Sequence, residues 1–279
     1  MDLIDTIRKC ICENFSPAID PGPVLIVAAH PDDETIGAGG LLQRLKRAHF
    51  VHITDGAPRD LVDAEQANFT SREAYAQARR REVQEAIAWA GLESVCQLQI
   101  SNIDQEASYN MAGIAHRLEK IIESIEPTCI FTHAYEGGHP DHDTTAFVVW
   151  AACKLLKRNK SKIEVPVLFE FSSYHGSGIG PEIITYDFLP FKSSTVWTSN
   201  LTEKECDIKK KMIACFRTQV STVSLFRVGI ERFRICPNYN FHIQPHSGPL
   251  YYEFFDWGMT GEKWRWLASE TMLLLKVGR

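Results

Sequence analysis

The sequence predicts an α/β fold, with a Rossmann-like, mostly parallel sheet that carries helices on both of its faces. Short apolar runs typical of buried strands alternate with longer segments whose apolar residues recur at helical spacing, and the connections between them are short. This alternation weakens after about residue 160, although neither a linker nor an internal repeat interrupts the 279 residues. We therefore expect a single domain over 1–279, with a Rossmann-like core in 1–160 and a C-terminal elaboration in 161–279.

Five apolar runs predict the strands of this sheet. Each run is six to eight residues long, and the runs lie at residues 24–29, 49–54, 95–100, 128–133 and 165–172. Because helical segments separate them, the strands are expected to run parallel through right-handed crossovers. Their carboxyl ends then meet at one edge of the sheet, which is where open α/β sheets place their chemistry.

The segments between and after these runs predict six helices. They lie at residues 2–14, 37–48, 70–90, 111–125, from 144 onward, and 203–216. Thr70 or Ser71 suits the N-cap of the third helix, and Gly91 suits its end. Pro127 stops the fourth helix. The segment 220–260 is predicted to be irregular, because its many aromatic residues and prolines show no period.

Composition excludes several classes of protein. A formal net charge of −5 argues against a nucleic-acid partner, which requires a basic face. No apolar run approaches the roughly 20 residues that a membrane span needs. The eight cysteines form no C-x-x-C pair, and the N-terminus lacks the apolar region of a signal peptide. We expect a cytoplasmic protein with reduced thiols; the oligomeric state, including a homo-oligomer, stays open.

The first candidate site follows the first strand. Residues 30–34, His-Pro-Asp-Asp-Glu, form the first motif and precede a glycine-rich segment. Adjacent carboxylates repel one another, so a cation or several hydrogen-bond donors are needed to keep Asp32 and Asp33 both charged. A divalent metal ion is the simplest such cation. The alternative, a loop in which the acids cap the next helix, requires only one acid and leaves His30 unexplained.

A second motif follows the fourth strand and repeats the layout of the first. Residues 139–143, His-Pro-Asp-His-Asp, also begin with His-Pro-Asp and also lead into a helix. Both motifs lie at carboxyl ends of parallel strands, so they are expected to converge although about a hundred residues separate them. The alternative for the second motif is a turn whose histidines act as caps, with Asp143 as the N-cap of the next helix.

Together the two motifs can supply a catalytic zinc site. Such a site takes three protein ligands, and His30, Asp33 and His142 provide two histidines and one carboxylate. Zinc lowers the pKa of a bound water to about 7, which makes hydroxide available for attack near neutral pH. Asp32 is adjacent and is predicted to be the general base. His139 is predicted to protonate or hydrogen-bond the developing oxyanion.

The two motifs, Ala29-His30-Pro31-Asp32-Asp33-Glu34 and His139-Pro140-Asp141-His142, resemble the hallmarks of the PIG-L (LmbE-like) family of metal-dependent N-deacetylases. The resemblance implies one zinc ion held by the three ligands above, with Asp32 as base and His139 near the oxyanion. It implies hydrolysis of the acetamide of N-acetylglucosamine-type groups in larger conjugates. Some members carry a tyrosine where this chain has Gly137, and Tyr135 or Glu136 are alternatives for that role.

The resemblance also implies two substrate-binding residues. Residues 79–82, Arg-Arg-Arg-Glu, are similar to a family helix in which an arginine reaches the substrate, which assigns this role to Arg79. Asp104 matches a loop acid that holds sugar hydroxyls. A solvated basic face is the alternative for the arginines, and a turn or capping role is the alternative for Asp104.

We therefore expect a zinc-dependent hydrolase that removes the N-acetyl group from an amino sugar or glycoconjugate, a small-molecule substrate. Two other classes stay open. A metallo-phosphoesterase also uses clustered His and Asp but usually needs two ions, and a non-catalytic carbohydrate-binding protein could be built on the same fold. The aromatic residues of the C-terminal part are expected to form a sugar-stacking wall, a subunit contact or, for most of them, ordinary core.

Overall fold

A mixed but mostly parallel sheet lies at the centre of the computed structural model, which describes residues 2–13, 20–92, 97–185, 187–192 and 194–278. Its strands are β1 Val24–Ala28, β2 Ala48–Thr54, β3 Gln97–Asn102, β4 Cys129–Thr132, β5 Val167–Phe171, β8 Val196–Asn200 and β9 Ile230–Ile235. A separate antiparallel pair consists of β6 Tyr174–Gly176 and β7 Ile183–Thr185.

The order of the seven strands is β3-β2-β1-β4-β5-β9-β8. The first five are parallel to one another, while β9 is antiparallel to both β5 and β8. Strand β1 lies between β2 and β4, with Val24 opposite both Ala48 and Cys129. The chain changes direction on the two sides of β1, so a crevice opens at the carboxyl ends of β1 and β4. The predicted fold class is confirmed.

Helices cover both faces of this sheet. They are α1 Leu3–Cys12, α2 Asp33–Leu42, α3 Val62–Gln66, α4 Arg72–Trp89, α5 Met111–Ile125, α6 Pro140–Arg158, α7 Glu203–Ala214, α8 Val220–Val223 and α9 Gly261–Leu275. Side chains alternate along β1, so Leu25 and Val27 pack with α5, α6 and α9, while Val24 and Ile26 pack with α1, α2, α4 and α7. In the part of the chain that the structure describes, no helix combines the length and apolar character needed to cross a membrane.

Helix α2 begins earlier than the predicted 37–48 and also ends earlier. Its first residue is Asp33, so the last two acids of the first motif lie in its first turn. The glycines of this helix permit a close approach to the sheet, because a Cβ on Gly37 would collide with the ring of Phe171. Close packing therefore compensates for the low helix propensity of glycine.

Several elements were not predicted. The segment 220–260, expected to be irregular, contains α8 and the interior strand β9, which lies next to the edge strand β8. Strand β9 was not predicted because charged residues such as Glu231 and Arg234 are typical of the surface. In the structure both are buried and form ion pairs. The edge strand β8 and helices α3 and α9 were also missed. The predicted third strand was placed at 95–100; β3 covers Gln97–Asn102, and residues 95 and 96 lie outside the described residues.

Candidate metal centre

The two motifs meet in the crevice at the carboxyl ends of β1 and β4. His30 lies in the turn after β1, and Asp33 opens α2. His139 is the N-cap residue of α6, and His142 lies in the first turn of that helix. All four side chains are buried. The parallel pairing of β1 with β4 thus brings together residues that are more than a hundred positions apart.

The predicted ligand atoms already stand at distances that suit a zinc ion. His30 Nδ1 is 3.1 Å from Asp33 Oδ2, and His142 Nε2 is 3.3 Å from Asp33 Oδ1. Ligand atoms on a tetrahedron with metal bonds of about 2.0–2.1 Å are separated by about 3.3 Å. The backbone N–H of His30 also donates to Asp33 Oδ2 at 2.8 Å, which fixes the carboxylate. The donor set, two histidines and one carboxylate with ligand atoms within 4.8 Å of one another, therefore suits a metal ion such as zinc.

A second group of possible ligands shares His30 but fits a metal less well. It contains Asp104, His139 and Asp141. Both Asp141 oxygens accept backbone N–H groups, from Gln105 at 2.6 Å and Ala107 at 3.2 Å. His139 Nδ1 accepts the backbone N–H of Asp141 at 3.1 Å. The two oxygens of Asp141 and Nδ1 of His139 therefore already accept hydrogen bonds within the protein.

The same two acids orient His30. Its Nε2 lies 3.0 Å from Asp104 Oδ1 and 3.5 Å from Asp141 Oδ2, on the side of the ring away from Asp33. Carboxylates behind a ligating histidine fix its proton on the far nitrogen and free the near one for the metal. Burial opposes a charge on His30, yet Asp104, Asp141 and Asp33 raise the pKa of His30 well above its usual value.

Asp32 is held by a buried arginine. Arg79 Nη2 donates to Asp32 Oδ2 at 2.8 Å, and Arg79 Nη1 donates to the carbonyl of Gly56 at 2.5 Å. Burial raises the pKa of Asp32 to about 7, although Arg79 lowers it. Asp32 is the N-cap residue of α2 but makes no side-chain capping bond. The capping alternative for the first motif therefore does not describe Asp32.

The protonation state of His139 follows from its capping bond. Because Nδ1 accepts from the backbone, the proton of the neutral ring must be on Nε2. Burial and the neighbouring His30 keep the pKa of His139 well below its usual value, so the ring is neutral. Its Nε2–H group is a hydrogen-bond donor. The capping alternative for the second motif thus holds for His139 and leaves its other nitrogen available.

Glu34, the third acid of the first motif, has a structural place behind the site. It is fully buried and accepts from the backbone N–H of Asp32 at 3.1 Å and from the hydroxyl of Thr35 at 2.7 Å. His52 Nε2 on β2 lies 3.0 Å from the same carboxylate. Through these contacts Glu34 connects the turn that carries Asp32 to strand β2.

One histidine of the centre was not predicted to be a site residue. His133 directly follows β4, and its Nε2 lies 3.2 Å from Asp33 Oδ2 and 3.1 Å from the backbone N of Ala29. Its ring stacks on that of His142, with centroids 4.0 Å apart. A signal for it existed in the sequence, since it is a polar residue at the carboxyl end of a strand that pairs with β1.

All seven predicted site residues line one cavity of about 150 Å³. They are His30, Asp32, Asp33, Arg79, Asp104, His139 and His142. The C-terminal part of the chain supplies further walls, among them Tyr174, Phe226 and Trp257. Asp104 and Arg79, predicted to bind substrate, both border the cavity, and each also contacts another predicted residue of the centre.

Tyr135 and Glu136 were the alternatives to the family tyrosine that Gly137 replaces, and neither lines the cavity. The hydroxyl of Tyr135 donates to the carbonyl of Ile243, and its ring stacks on Trp264 in the core. Glu136 pairs with Arg234 at 3.1 Å. Tyr174 does line the cavity, and its ring centroid is 5.1 Å from that of His142.

Comparisons with known proteins agree with this architecture. Residues 25–153 match the family model described as PIG-L, GlcNAc-PI de-N-acetylase. A protein of Bacillus anthracis named probable N-acetyl-alpha-D-glucosaminyl L-malate deacetylase 2 is 28% identical over 165 residues, which is 57% of this chain and 70% of that protein.

Two solved structures share the fold. An A40926 pseudoaglycone deacetylase gives a TM-score of 0.57 at 16% identity, over 77% of this chain and 96% of that one. The N,N'-diacetylchitobiose deacetylase of Pyrococcus horikoshii gives 0.53 at 20% identity, over 88% and 97%. Both motifs lie within the stretch that matches the family model. The resemblance predicted from them is thus confirmed over residues 25–153, the stretch that matches the PIG-L family model.

Proposed function

We propose that this chain is a zinc-dependent N-deacetylase that hydrolyses the acetamide of an N-acetylglucosamine-type sugar or conjugate and releases acetate and a free amine. One observation carries the proposal: a ligand set with zinc spacing, His30, Asp33 and His142, shares a buried cavity with the ion-paired acid Asp32. When bound, zinc would polarise the acetamide carbonyl and lower the pKa of water at the site.

Asp32 is the proposed general base. It borders the cavity and adjoins Asp33 without being needed as a ligand. Arg79 donates a hydrogen bond to only one oxygen of Asp32, Oδ2, at 2.8 Å. The other oxygen, Oδ1, therefore stays available to take a proton from the attacking water. We propose that Arg79 acts mainly by positioning Asp32, which differs from the direct substrate contact that the family resemblance implies.

His139 is the proposed oxyanion donor. Its Nε2 carries the proton of the neutral ring, and its centroid lies 4.6 Å from that of the ligand His30. A neutral donor placed where negative charge develops stabilises the transition state without a cost in reorganisation. Asp104 then has a proposed role in orienting His30, in addition to any contact with sugar hydroxyls.

The two other classes of function have less support. A phosphoesterase with two ions would need a second ligand set. Among the described residues, the second group of candidates shares His30 with the first, and its Asp141 and His139 Nδ1 already accept backbone N–H groups. A protein that only bound sugars would not require a buried base beside three metal ligands. The Bacillus anthracis relative and the two solved structures described above are named as deacetylases, which supports the same reaction.

The proposal is tested by measuring acetate release and bound zinc on the same samples. Asp32→Asn should keep about one zinc per chain and lose roughly 10²–10⁴ in kcat, the usual contribution of a general base. His142→Ala should lose both zinc and activity. Asp60→Asn, an exposed acid, serves as control. Full turnover by Asp32→Asn would refute the base, and stoichiometric zinc in His142→Ala would refute the ligand set.

A further inference from the structure

Four aromatic rings form an arc beside the metal centre. Tyr174 lies 5.1 Å from the ring of His142, and Tyr251 lies 5.7 Å from Tyr174. Phe255 follows at 4.9 Å from Tyr251, and Trp257 stacks on Phe255 at 4.7 Å. Trp257 in turn lies 4.8 Å from His139. This aromatic arc therefore runs from the ligand His142 to the proposed oxyanion donor.

The arc is open to solvent, unlike the other aromatic cluster of the C-terminal part. Phe255 is 37% exposed, and Tyr174, Tyr251 and Trp257 are half-buried. By contrast, Phe241 and Trp264 belong to the core on the α5, α6 and α9 side of the sheet. Exposed, contiguous aromatic surface next to a cavity is a feature of ligand sites rather than of the core.

The apolar wall of the cavity also includes Phe226. Phe226 lines the cavity, and its ring lies 6.2 Å from that of Tyr174. Ile36 on α2 lines the same cavity. The cavity is therefore bordered by aromatic and aliphatic side chains.

The charges around the cavity are unsuited to an anionic ligand. Of the described residues that line it, four are acids, Asp32, Asp33, Asp63 and Asp104, and Arg79 is the only arginine or lysine. Arg79 is already bonded to Asp32 and to the carbonyl of Gly56. A carboxylate or phosphate on the substrate would thus meet carboxylates, and among the described residues of the cavity wall no arginine or lysine is left to pair with it.

On the basis of the function proposed above, we propose that the substrate is an N-acetylglucosaminide of a neutral aromatic alcohol, whose ring lies on the aromatic arc. The sugar would place its acetamide at the metal centre while the uncharged aglycone extends over Phe255 and Trp257. This preference differs from the malate conjugate in the name of the Bacillus anthracis relative.

Three substrates test this proposal with the zinc-loaded full chain: phenyl N-acetylglucosaminide, methyl N-acetylglucosaminide and N-acetylglucosaminyl malate. The aromatic substrate should have the highest kcat/KM, by about tenfold over the methyl glycoside, which is the scale of one or two aromatic contacts. Preference for the malate conjugate, or equal rates for phenyl and methyl, would overturn the aromatic aglycone while leaving the deacetylase function intact. Inactivity on all three would instead refute the deacetylase.

Variants and a binding measurement separate recognition from catalysis. Phe255→Ala should raise KM for the phenyl substrate about tenfold more than it raises KM for the methyl substrate. Trp266→Ala, an exposed aromatic residue on α9, is the matched control and should change neither. Binding of phenyl glucosaminide, the deacetylated product, followed by calorimetry, should weaken in parallel for Phe255→Ala. Unchanged binding in that variant would overturn the placement of the ring on the arc.

Discussion

At the scale of single residues, Asp32, the proposed base, depends on a glycine that it does not touch. Gly56 has a positive φ of 66°, and its carbonyl accepts a bond from the same Arg79 that holds Asp32. A Cβ at this position would lie 2.5 Å from Arg79 Nη1. The arginine can therefore reach Asp32 only if residue 56 has no side chain.

We expect Gly56→Ala to lower kcat by at least about tenfold, because the displaced guanidinium no longer positions Asp32. Bound zinc should be unchanged. The control is Gly91→Ala, which has a φ of 79° but whose Cβ would meet nothing within 4 Å. Both variants carry the backbone cost of a positive φ, about 1 kcal/mol. Equal kcat in the two variants would contradict the role of Arg79 as a positioning residue.

His133 contacts Asp33, a proposed ligand, with its Nε2 at 3.2 Å from Asp33 Oδ2. We expect His133→Phe to keep the stacking on His142 but to lose the contact with Asp33, so zinc affinity should fall by about 10–100-fold, as for other residues that orient ligands. Competition with a fluorescent chelator measures it. His116→Phe, on the exposed face of α5, should keep the native affinity. A normal affinity in His133→Phe would remove this residue from the metal centre.

At the scale of elements, a buried ion pair joins three of them behind the site. Lys209 on α7 pairs with Glu231 on β9 at 2.7 Å, and Glu231 also accepts the backbone N–H groups of Gly40 and Leu41 on α2. Both side chains are almost fully buried. Helix α2 carries Asp33 at its other end, so this pair fixes the helix that presents a ligand.

Removing one partner should be costly, since it leaves a buried charge without compensation. We expect Lys209→Met to lower the free energy of unfolding by about 3–5 kcal/mol. Lys210→Met, one position along the same helix and exposed, should change it by less than about 0.5 kcal/mol. Urea unfolding of both variants decides the matter. Similar midpoints would show that the pair contributes little.

Buried charged residues such as this pair also decide which strands could be predicted from sequence. Strands β1 and β4 are uninterrupted apolar runs, and burial on both faces of a parallel sheet requires nothing else. Strand β9 has charged residues at positions that turn out to be buried. Their partners, Lys209 and Glu170, lie on other elements, and only the tertiary structure pairs them.

Dependence on tertiary structure also limits what could be predicted about the candidate metal centre. Its seven predicted residues were recognisable because two local motifs carry the ligands and the base, and Arg79 and Asp104 followed from family resemblance. His133 and the aromatic arc have no local motif. Their positions depend on strand pairing and on where the chain returns after residue 174, and neither can be read from spacing along the sequence.

At the scale of the whole molecule, the proposed ligands come from two segments that only the folded sheet brings together. His30 and Asp33 follow β1, whereas His142 lies on α6 after β4. An unfolded chain does not hold the three ligands together, so zinc should bind the native state in strong preference.

We therefore expect zinc at about 100 times its Kd to stabilise the chain by about 2.7 kcal/mol. Such a gain should raise the Tm by about 5 °C or more. Scanning calorimetry with and without a chelator measures the shift. His142→Ala, which lacks one ligand, should show a much smaller one. An equal shift in that variant would indicate that zinc binds elsewhere.

The two walls of the cavity come from separate stretches of the chain. The metal side lies between residues 30 and 142, and the aromatic arc lies between 174 and 257. A change in one stretch need not disturb the other. The proposed metal centre can therefore stay constant while the proposed recognition surface, the aromatic arc, diverges. Exchange of the segment that carries the arc between related chains is then a direct route to new substrate preferences.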